Sequence, residues 1–231
     1  KPGIIYQQDD YGQDGYDGWA IAAKHHGIDI VAAETYAPGQ ADYTAAISAL
    51  KKAGATHVLL TTLPSATSPI LGTAQQLDYE PIWIGHTPAW IDRYFDPEVI
   101  PPKVFANFYW VSAVPYWGEP SSFMDTFLAV YERYGRAELP PDLWILASYL
   151  QGYVAVAALK TAIEANELSR EGYLKALQQI DDFDLDGSIA YSINLSKVPY
   201  KVGVKTRILR PDLDKRTWID VAPFAAPQSP H

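Results

Sequence analysis

The 231-residue sequence predicts an α/β fold in which a parallel sheet is covered by helices on both faces. Short apolar runs that favour β-structure alternate with helical patterns through the first half of the chain. Glycine follows several of these patterns, a position typical of a helix end. Alternation at this short spacing indicates right-handed βαβ crossovers and therefore parallel strands.

The first half of the chain contains five predicted strands with helices between them. The strands are predicted at residues 4–6, 28–33, 58–60, 82–84 and 104–111. The helices are predicted from about Gly15 to His26, from Asp42 to the residues before Gly54, and over residues 68–77. Open parallel sheets bind ligands at the carboxyl ends of their strands, so residues 7–13, 61–66 and 85–90 are expected to form the binding loops.

The pattern changes near Pro115, after which helices predominate. Helices are predicted over residues 123–134, 142–165 and 170–180, a short strand over 189–191, and two late strands over 202–209 and 217–221 joined by a turn at Pro211–Asp212. The helix over 142–165 is apolar around most of its circumference, which predicts burial from several sides. The helices from 121 to 181 lack an adjacent predicted sheet. They pack either on the first sheet or on a second sheet outside this sequence.

Composition excludes several classes of partner and site. The net charge of −9 argues against nucleic acid and anionic membrane surfaces, both of which attract basic patches. The lack of cysteine excludes disulfides, thiolate nucleophiles and cysteine-ligated zinc. No uninterrupted apolar run reaches the roughly 18 residues of a membrane span. Because Lys1 leads directly into a strand, the sequence is interpreted as a fragment of a longer protein.

Motifs for catalysis, metals and cofactors are not found. Adjacent His25 and His26 point apart on a helix, which is poor metal geometry. The pair Asp9–Asp10 is interpreted as solvated or helix-capping. Ser65 lies in no Gly-x-Ser-x-Gly elbow, and Gly12 with Gly15 completes no dinucleotide fingerprint. The sequence therefore predicts a non-enzymatic protein without cofactor or metal.

An ordered set of short motifs carries a family resemblance over nearly the whole chain. The motifs are Ile4–Ile5–Tyr6, Asp9–Asp10–Tyr11–Gly12, Glu34–Thr35–Tyr36–Ala37–Pro38–Gly39, Asp42–Tyr43, Leu50–Lys51–Lys52–Ala53–Gly54–Ala55, Tyr131 to Gly135, the helix holding Tyr149, and Asp186–Gly187–Ser188–Ile189. Together they resemble the second lobe and following helices of type I periplasmic binding proteins. The most similar branch is the leucine/isoleucine/valine-binding group of ABC-transporter receptors.

The resemblance implies two α/β lobes joined by three crossings, with a small organic solute in the cleft between them. Residues 1–113 and about 199–231 would form a complete second lobe, and residues 114–198 the returning helices of a partial first lobe. The N-terminal part of the first lobe would be supplied by a missing segment of the same or another chain. The implied partners are the solute and the membrane subunits of an ABC transporter. The implied location is periplasmic or extracellular, after secretion or lipid anchoring.

The resemblance implies four ligand-binding candidates, and a fifth is the neighbour of one of them. Tyr11 matches the tyrosine of the family's Tyr–Gly loop, and Thr62 falls at a ligand-touching position after the third strand. Thr87 replaces the acidic residue that holds the ligand's ammonium group in amino-acid-binding members, and His86 is its neighbour. Trp144 falls at an aromatic position that caps the ligand. Four of the five have a structural alternative: Tyr11 as a helix start, Trp144 as core, and the two threonines as partners of backbone groups.

The departure at Thr87 favours a ligand other than an α-amino acid, because a threonine hydroxyl compensates an ammonium group less than a carboxylate does. A cleft lined by Tyr11, Trp83, Trp90, Trp110 and Trp144 would suit an aromatic or hydrophobic acid. The chain alone places Trp83 in the core and leaves Trp90 and Trp110 open. The competing interpretations are a sensory ligand-binding domain and, with less support, a small α/β hydrolase or nucleotide-dependent transferase.

Overall fold

The computed structural model describes residues 1–135, 138–185, 187–189, 192–198 and 205–226. These residues form two compact units. The larger is built mainly from Lys1–Ser112 and Arg207–Pro223, and the other mainly from Ala113–Thr206. The chain thus leaves the larger unit after its fifth strand and returns to it much later.

The larger unit contains one seven-stranded sheet in the order β2-β1-β3-β4-β5-β6-β7. The strands are β1 (Pro2–Gln7), β2 (Ala32–Tyr36), β3 (His57–Thr61), β4 (Ile82–His86), β5 (Phe108–Ser112), β6 (Thr206–Asp212) and β7 (Thr217–Ala225). The first five strands are parallel, and β6 pairs antiparallel with β5. The predicted α/β fold is confirmed, with an antiparallel hairpin added at one side.

Three helices connect the parallel strands: α1 (Asp10–His25), α2 (Thr44–Lys52) and α3 (Pro64–Gln76). Three short 3-10 helices, Thr87–Ala89, Asp92–Phe95 and Pro102–Phe105, precede β5. Helix α1 packs on the face of β1 and β3 that carries Thr61, whereas α2 packs on the opposite face, against Gly3. Helices therefore lie on both faces of the sheet.

Several predicted boundaries are corrected by the structure. Helix α1 begins at Asp10, five residues before Gly15, because Asp9 caps it by accepting a hydrogen bond from the Gly12 backbone N–H at 3.0 Å. The second strand is Ala32–Tyr36, and the apolar residues from Ile28 to Val31 precede it. Helix α3 begins at Pro64, where proline's fixed φ suits a first helical turn. The Pro211–Asp212 pair lies inside β6, and the turn follows it.

The sheet face opposite α1 is closed by an aromatic core. The ring of Trp90 lies 4.5–5.6 Å, between centroids, from five other aromatic rings: Tyr94, Phe95, Phe105, Phe108 and Trp218. Trp83 and Trp110 are buried as well. The hypothesis that Trp83, Trp90 and Trp110 line a ligand cleft is therefore wrong, because their rings fill the interior of the unit.

The smaller unit is helical in its described part, with α4 (Ser122–Tyr134), α5 (Leu143–Glu164) and α6 (Arg170–Gln178). One apolar cluster joins α4 to α5 through residues such as Phe127 and Leu146, and another joins α5 to α6 through Ala158 and Ala176. An isolated antiparallel bridge pairs Phe183 with Ile193 in this unit. The predicted strands at 189–191 and 202–209 fall partly outside the described residues.

Helix α5 is apolar but only partly covered. Four of its large apolar side chains are exposed: Trp144, Val156, Leu159 and Ile163. The expectation of burial from several sides is therefore not met by the described residues. By length and composition α5 is apolar enough to cross a membrane, a property that it shares with core helices of soluble proteins.

Candidate functional site

The candidate site lies at the carboxyl edge of the parallel strands in the larger unit. Tyr11 occupies the first turn of α1, which follows β1, and Thr62 directly follows β3. His86 is the last residue of β4, and Thr87 begins the 3-10 helix that follows it. Four of the five predicted ligand contacts therefore come from the loops after β1, β3 and β4, which are neighbouring strands in the sheet. Sheets of this kind bind ligands at this edge.

The Tyr11 hydroxyl connects these loops. It lies 3.1 Å from the carbonyl oxygen of Thr62 and 2.7 Å from Nε2 of His86, and the rings of Tyr11 and His86 stack with centroids 5.4 Å apart. The hydroxyl has one proton and donates to one acceptor at a time. When it donates to Thr62, His86 Nε2 must carry its own proton and donate to Tyr11. The tautomer of His86 therefore decides which of the two groups donates in the 2.7 Å contact.

Both members of the pair are uncharged at neutral pH. Burial lowers the pKa of His86 from 6.5 to about 4, with the backbone of Leu60 acting in the opposite direction. Burial raises the pKa of Tyr11, and the neighbouring Tyr36 and Asp9 raise it further. A neutral His86 adds no positive charge to this edge of the sheet.

The lowered pKa of His86 predicts acid destabilisation of the fold. Between pH 6.5 and 4 the unfolded chain binds a proton at this residue and the folded chain does not, so stability is greatest above 6.5 and falls toward 4. The shift corresponds to at most about 3 kcal/mol. We expect the free energy of unfolding in urea to fall by less over this range in His86→Asn than in the wild type. The exposed His25→Asn should keep the wild-type slope, and equal slopes in all three proteins would contradict the assignment.

A second polar network fixes the same edge. The Tyr36 hydroxyl donates to Oε1 of Gln7 at 3.1 Å and accepts from the Leu63 backbone N–H at 3.2 Å. The side-chain amide of Gln7 also donates to Asp9. Tyr36 is buried, which raises its pKa to about 12. Sequence analysis did not single out Gln7, although a polar residue ending an apolar strand is a usable signal.

The two threonine hydroxyls are engaged within the protein. Thr62 is fully buried, and its Oγ1 lies 2.6 Å from Oγ1 of Thr67 in α3. The Thr87 hydroxyl donates to the carbonyl of Val111 at 3.3 Å, and the Thr87 carbonyl accepts from Nε1 of Trp110 at 3.2 Å. These bonds hold the loops after β3 and β4. Ligand contact by Thr62 or Thr87 stays a prediction.

Trp144 lies in the smaller unit, in the first turn of α5. Its backbone N–H donates to the capping Asp142 carboxylate at 2.8 Å, and its side chain is 40% exposed. An exposed indole at a helix N-terminus is available for stacking, and its role as a ligand cap also stays a prediction. Across the residues that the structure describes, no three His, Asp or Glu side chains are grouped to hold a metal ion.

A family model described as periplasmic binding protein matches residues 1–194. This chain belongs to the periplasmic binding protein family. The match runs through both units and contains Tyr11, Thr62, His86, Thr87 and Trp144. A search of curated proteins found no match.

Solved structures confirm the type I fold of this periplasmic binding protein. It resembles a fatty acid ABC transporter substrate-binding protein from Thermomonospora curvata, with a TM-score of 0.85, 19% identity, and coverage of 98% of this chain and 57% of that one. It also resembles a branched chain amino acid ABC transporter protein from Thermus thermophilus with bound valine. The TM-score is 0.78, the identity is 17%, and the match covers 98% of this chain and 60% of that one. For a possible leucine/isoleucine/valine-binding protein from Rhodopirellula baltica, the TM-score is 0.80 and the identity is 18%. That match covers 96% of this chain and 58% of the other. The chain therefore spans less than two thirds of these structures.

Proposed function

We propose that this chain is part of an extracytoplasmic receptor that binds a small organic solute and delivers it to an ABC transporter. The observation that carries the proposal is the uncharged, hydrogen-bonded pair of Tyr11 and His86 at the carboxyl edge of the sheet. Family membership over residues 1–194 supports it. The protein would act in the periplasm or outside the cell, and as a binding protein it would not be an enzyme.

The proposed solute is an amino acid or an aromatic or hydrophobic acid. None of the side chains of Tyr11, Thr62, His86 and Thr87 is a carboxylate. This favours a ligand that presents no positively charged group to these four residues. Asp9 is nearby, but its two oxygens accept from Gly12 and Gln7. With Trp83, Trp90 and Trp110 buried, Tyr11 and Trp144 remain as aromatic candidates. The relatives' names, which mention a fatty acid and valine, are compatible with either class.

The proposed organisation assigns residues 1–113 and 199–231 to a second lobe and residues 114–198 to part of a first lobe. The exposed apolar side chains of α5 support this assignment, since a helix of that composition needs a partner. The partner would be the missing first-lobe segment, from the same or another chain. The length of the solved relatives agrees with such a segment.

The proposed mechanism is domain closure in the complete receptor. A solute that contacts both lobes stabilises the closed form by the difference in its affinity for the closed and open forms. Tyr11, Thr62, His86 and Thr87 would form one wall, and Trp144 would contact the solute from the other. The membrane subunits of the transporter would recognise the closed form.

Substitution of Tyr11 tests the proposal in the complete receptor. Calorimetry with leucine, phenylalanine, benzoate and octanoate first identifies a solute that binds. We then expect Tyr11→Ala to weaken that affinity by about tenfold, the equivalent of about 1.4 kcal/mol. Tyr134→Ala, at an exposed tyrosine of α4, is the control and should bind normally. Unchanged affinity in Tyr11→Ala would reduce Tyr11 to a structural residue, and turnover of the solute would contradict a binding function.

A further inference from the structure

The hydroxyl of Tyr36 holds a stretch of backbone next to Tyr11. Tyr36 is the last residue of β2, and its side chain is 2% exposed. Its hydroxyl accepts a hydrogen bond from the backbone N–H of Leu63 at 3.2 Å. Leu63 directly follows Thr62, whose carbonyl oxygen lies 3.1 Å from the hydroxyl of Tyr11. Tyr36 therefore fixes the backbone that supplies an acceptor to Tyr11.

A second route leads from the same hydroxyl to the helix that carries Tyr11. The Tyr36 hydroxyl donates its single proton to Oε1 of Gln7 at 3.1 Å. Nε2 of Gln7 donates to one oxygen of the Asp9 carboxylate at 2.5 Å, and the other oxygen accepts from the Gly12 backbone N–H at 3.0 Å. Asp9 thereby caps α1, and Tyr11 lies in the first turn of that helix.

The two routes close a ring of hydrogen bonds and covalent bonds around the candidate site. Its members are the peptide links Tyr11–Gly12 and Thr62–Leu63 and the side chains of Tyr36, Gln7 and Asp9. We propose that Tyr36 is a positioning residue of this site, whose hydroxyl fixes the place of the Tyr11 hydroxyl and thereby strengthens solute binding. Because its side chain is buried, Tyr36 acts through Tyr11 and does not touch the solute. The inference rests on the proposed function and adds a residue to it.

The place of the Thr62 carbonyl matters because the Tyr11 hydroxyl has two competing acceptors. The hydroxyl lies 3.1 Å from that carbonyl and 2.7 Å from Nε2 of His86. A displacement of the carbonyl by about 0.5 Å would take the first contact outside hydrogen-bond range. Tyr11 would then donate its proton to His86 alone, and neutral His86 would carry its own ring proton on Nδ1. By fixing the backbone at Leu63, Tyr36 prevents this rearrangement.

The electrostatic surroundings of Tyr11 agree with this arrangement. Burial raises the pKa of Tyr11 most, and Tyr36 and then Asp9 raise it further. Two members of the ring thus lie close enough to Tyr11 to change its affinity for its proton. They disfavour ionisation of Tyr11, which keeps its hydroxyl a hydrogen-bond donor.

Removal of one hydroxyl tests the proposal in the complete receptor. Tyr36→Phe keeps the buried ring and removes both hydrogen bonds of the hydroxyl. We expect it to weaken binding of the solute identified by calorimetry by about fivefold, an effect typical of a lost hydrogen bond. Tyr43→Phe is the matched control and should bind normally. Tyr43 is 2% exposed and its ring lies 5.8 Å from that of Tyr36, between centroids, but its hydroxyl has no hydrogen-bond partner among the residues that the structure describes.

A spectroscopic measurement separates positioning from a general loss of stability. The ring-nitrogen resonances of His86 report its tautomer by nitrogen NMR, with no solute added. In Tyr36→Phe we expect them to move toward the tautomer protonated on Nδ1, because Tyr11 then donates to Nε2. In Tyr43→Phe they should keep their wild-type positions.

Gln7 provides a second test, because its amide both accepts from Tyr36 and donates to a carboxylate. In Gln7→Glu a charged carboxylate faces Asp9 and donates nothing, so binding at neutral pH should be about fivefold weaker than in the wild type. Once the new carboxyl takes up a proton, it can donate to Asp9 and accept from Tyr36. The affinity relative to the wild type at the same pH should therefore recover as the pH is lowered toward about 5. This variant keeps the proposal testable if Tyr36→Phe fails to fold by circular dichroism.

Three results would each overturn the positioning role. They are wild-type affinity in Tyr36→Phe, unmoved His86 resonances in the same variant, and a loss of affinity in Gln7→Glu that stays constant relative to the wild type at every pH. Weak binding by Tyr11→Ala alongside any of these results would leave the proposed function intact. Normal binding by Tyr11→Ala would instead contradict the proposed function of this edge, and the His86 resonances would then report only whether Tyr36 fixes the place of Tyr11.

Discussion

Replacing Gly12 with alanine is expected to destabilise the protein by about 3 kcal/mol or more. A Cβ at this position would lie 1.8 Å from the carbonyl oxygen of Gln7, so the backbone of β1 or of α1 must move. That movement would also disturb the hydrogen bond from the Gly12 N–H to Asp9, which caps α1. Urea unfolding followed by circular dichroism measures the effect.

Gly18, in the same helix, provides the matched control. Among the described residues outside its own stretch of α1, no atom lies within 4 Å of the point that a Cβ at Gly18 would occupy, so Gly18→Ala introduces no clash. Alanine is the better helix former, and we expect Gly18→Ala to increase the free energy of unfolding by about 0.5–1 kcal/mol. A similar loss of stability in both variants would show that general helix effects, and not the close approach to Gln7, explain the cost at Gly12.

Replacing Trp90 with alanine is expected to reduce the free energy of unfolding by about 4 kcal/mol. Its side chain is fully buried, and the five rings around it would surround a cavity. Aromatic pairs at these distances also contribute beyond the buried area. Trp90→Phe should lose less, because it keeps a ring in the cluster. Both variants are measured by urea unfolding.

In contrast to Trp90→Ala, Trp144→Ala should have little effect on stability and a clear effect on solute binding. The side chain is 40% exposed, so we expect a loss of stability below about 1 kcal/mol. In the complete receptor, however, this variant should bind solute more weakly, because Trp144 is the proposed contact from the first lobe. If Trp144→Ala were as destabilising as Trp90→Ala and bound solute normally, Trp144 would be a core residue and not a ligand cap.

The strands that the sequence predicted best are β1, β3 and β4, which lie inside the parallel part of the sheet. The runs at 4–6, 58–60 and 82–84 fall within β1, β3 and β4, because central parallel strands are continuously apolar. Strand β2 was misplaced because it lies at the edge of the sheet, where Glu34 and Thr35 are tolerated, while the more apolar residues from Ile28 to Val31 precede it. At an edge, pairing with one neighbour outweighs the hydrophobic pattern.

The start of α1 could not be predicted from local preference. Asp10, Gly12 and Gly15 are weak helix formers, but the structure uses Asp9 as a cap and places Gly15 against Thr61 of β3. A side chain at Gly15 would separate α1 from the sheet, since a Cβ there would lie 2.3 Å from Oγ1 of Thr61. The Asp9 cap, which is a local signal, and the contact of Gly15 with Thr61, which no sequence window contains, therefore decide this boundary together.

The sequence nominated the residues of the candidate site one at a time, but it did not predict the hydrogen bonds that connect them. The family resemblance nominated Tyr11 and Thr87, and His86 entered only as the neighbour of Thr87. The hydrogen bond between Tyr11 and His86 joins residues 75 positions apart, which the sequence does not reveal. The hypothesis of a tryptophan-lined cleft failed for a related reason. Composition reports how many aromatic residues a chain has, whereas the burial of Trp83, Trp90 and Trp110 shows that they lie in the core.

The late hairpin of β6 and β7 has a consequence for biosynthesis. The chain completes β5 at Ser112 and supplies its antiparallel neighbour only at Thr206, after the whole helical segment has been made. Until then the growing polypeptide presents the unpaired edge of β5, and Trp90 lacks its contact with Trp218. An exposed edge strand beside uncovered aromatic rings favours aggregation. A ribosome-bound chain of this protein should therefore depend on chaperones until the hairpin emerges.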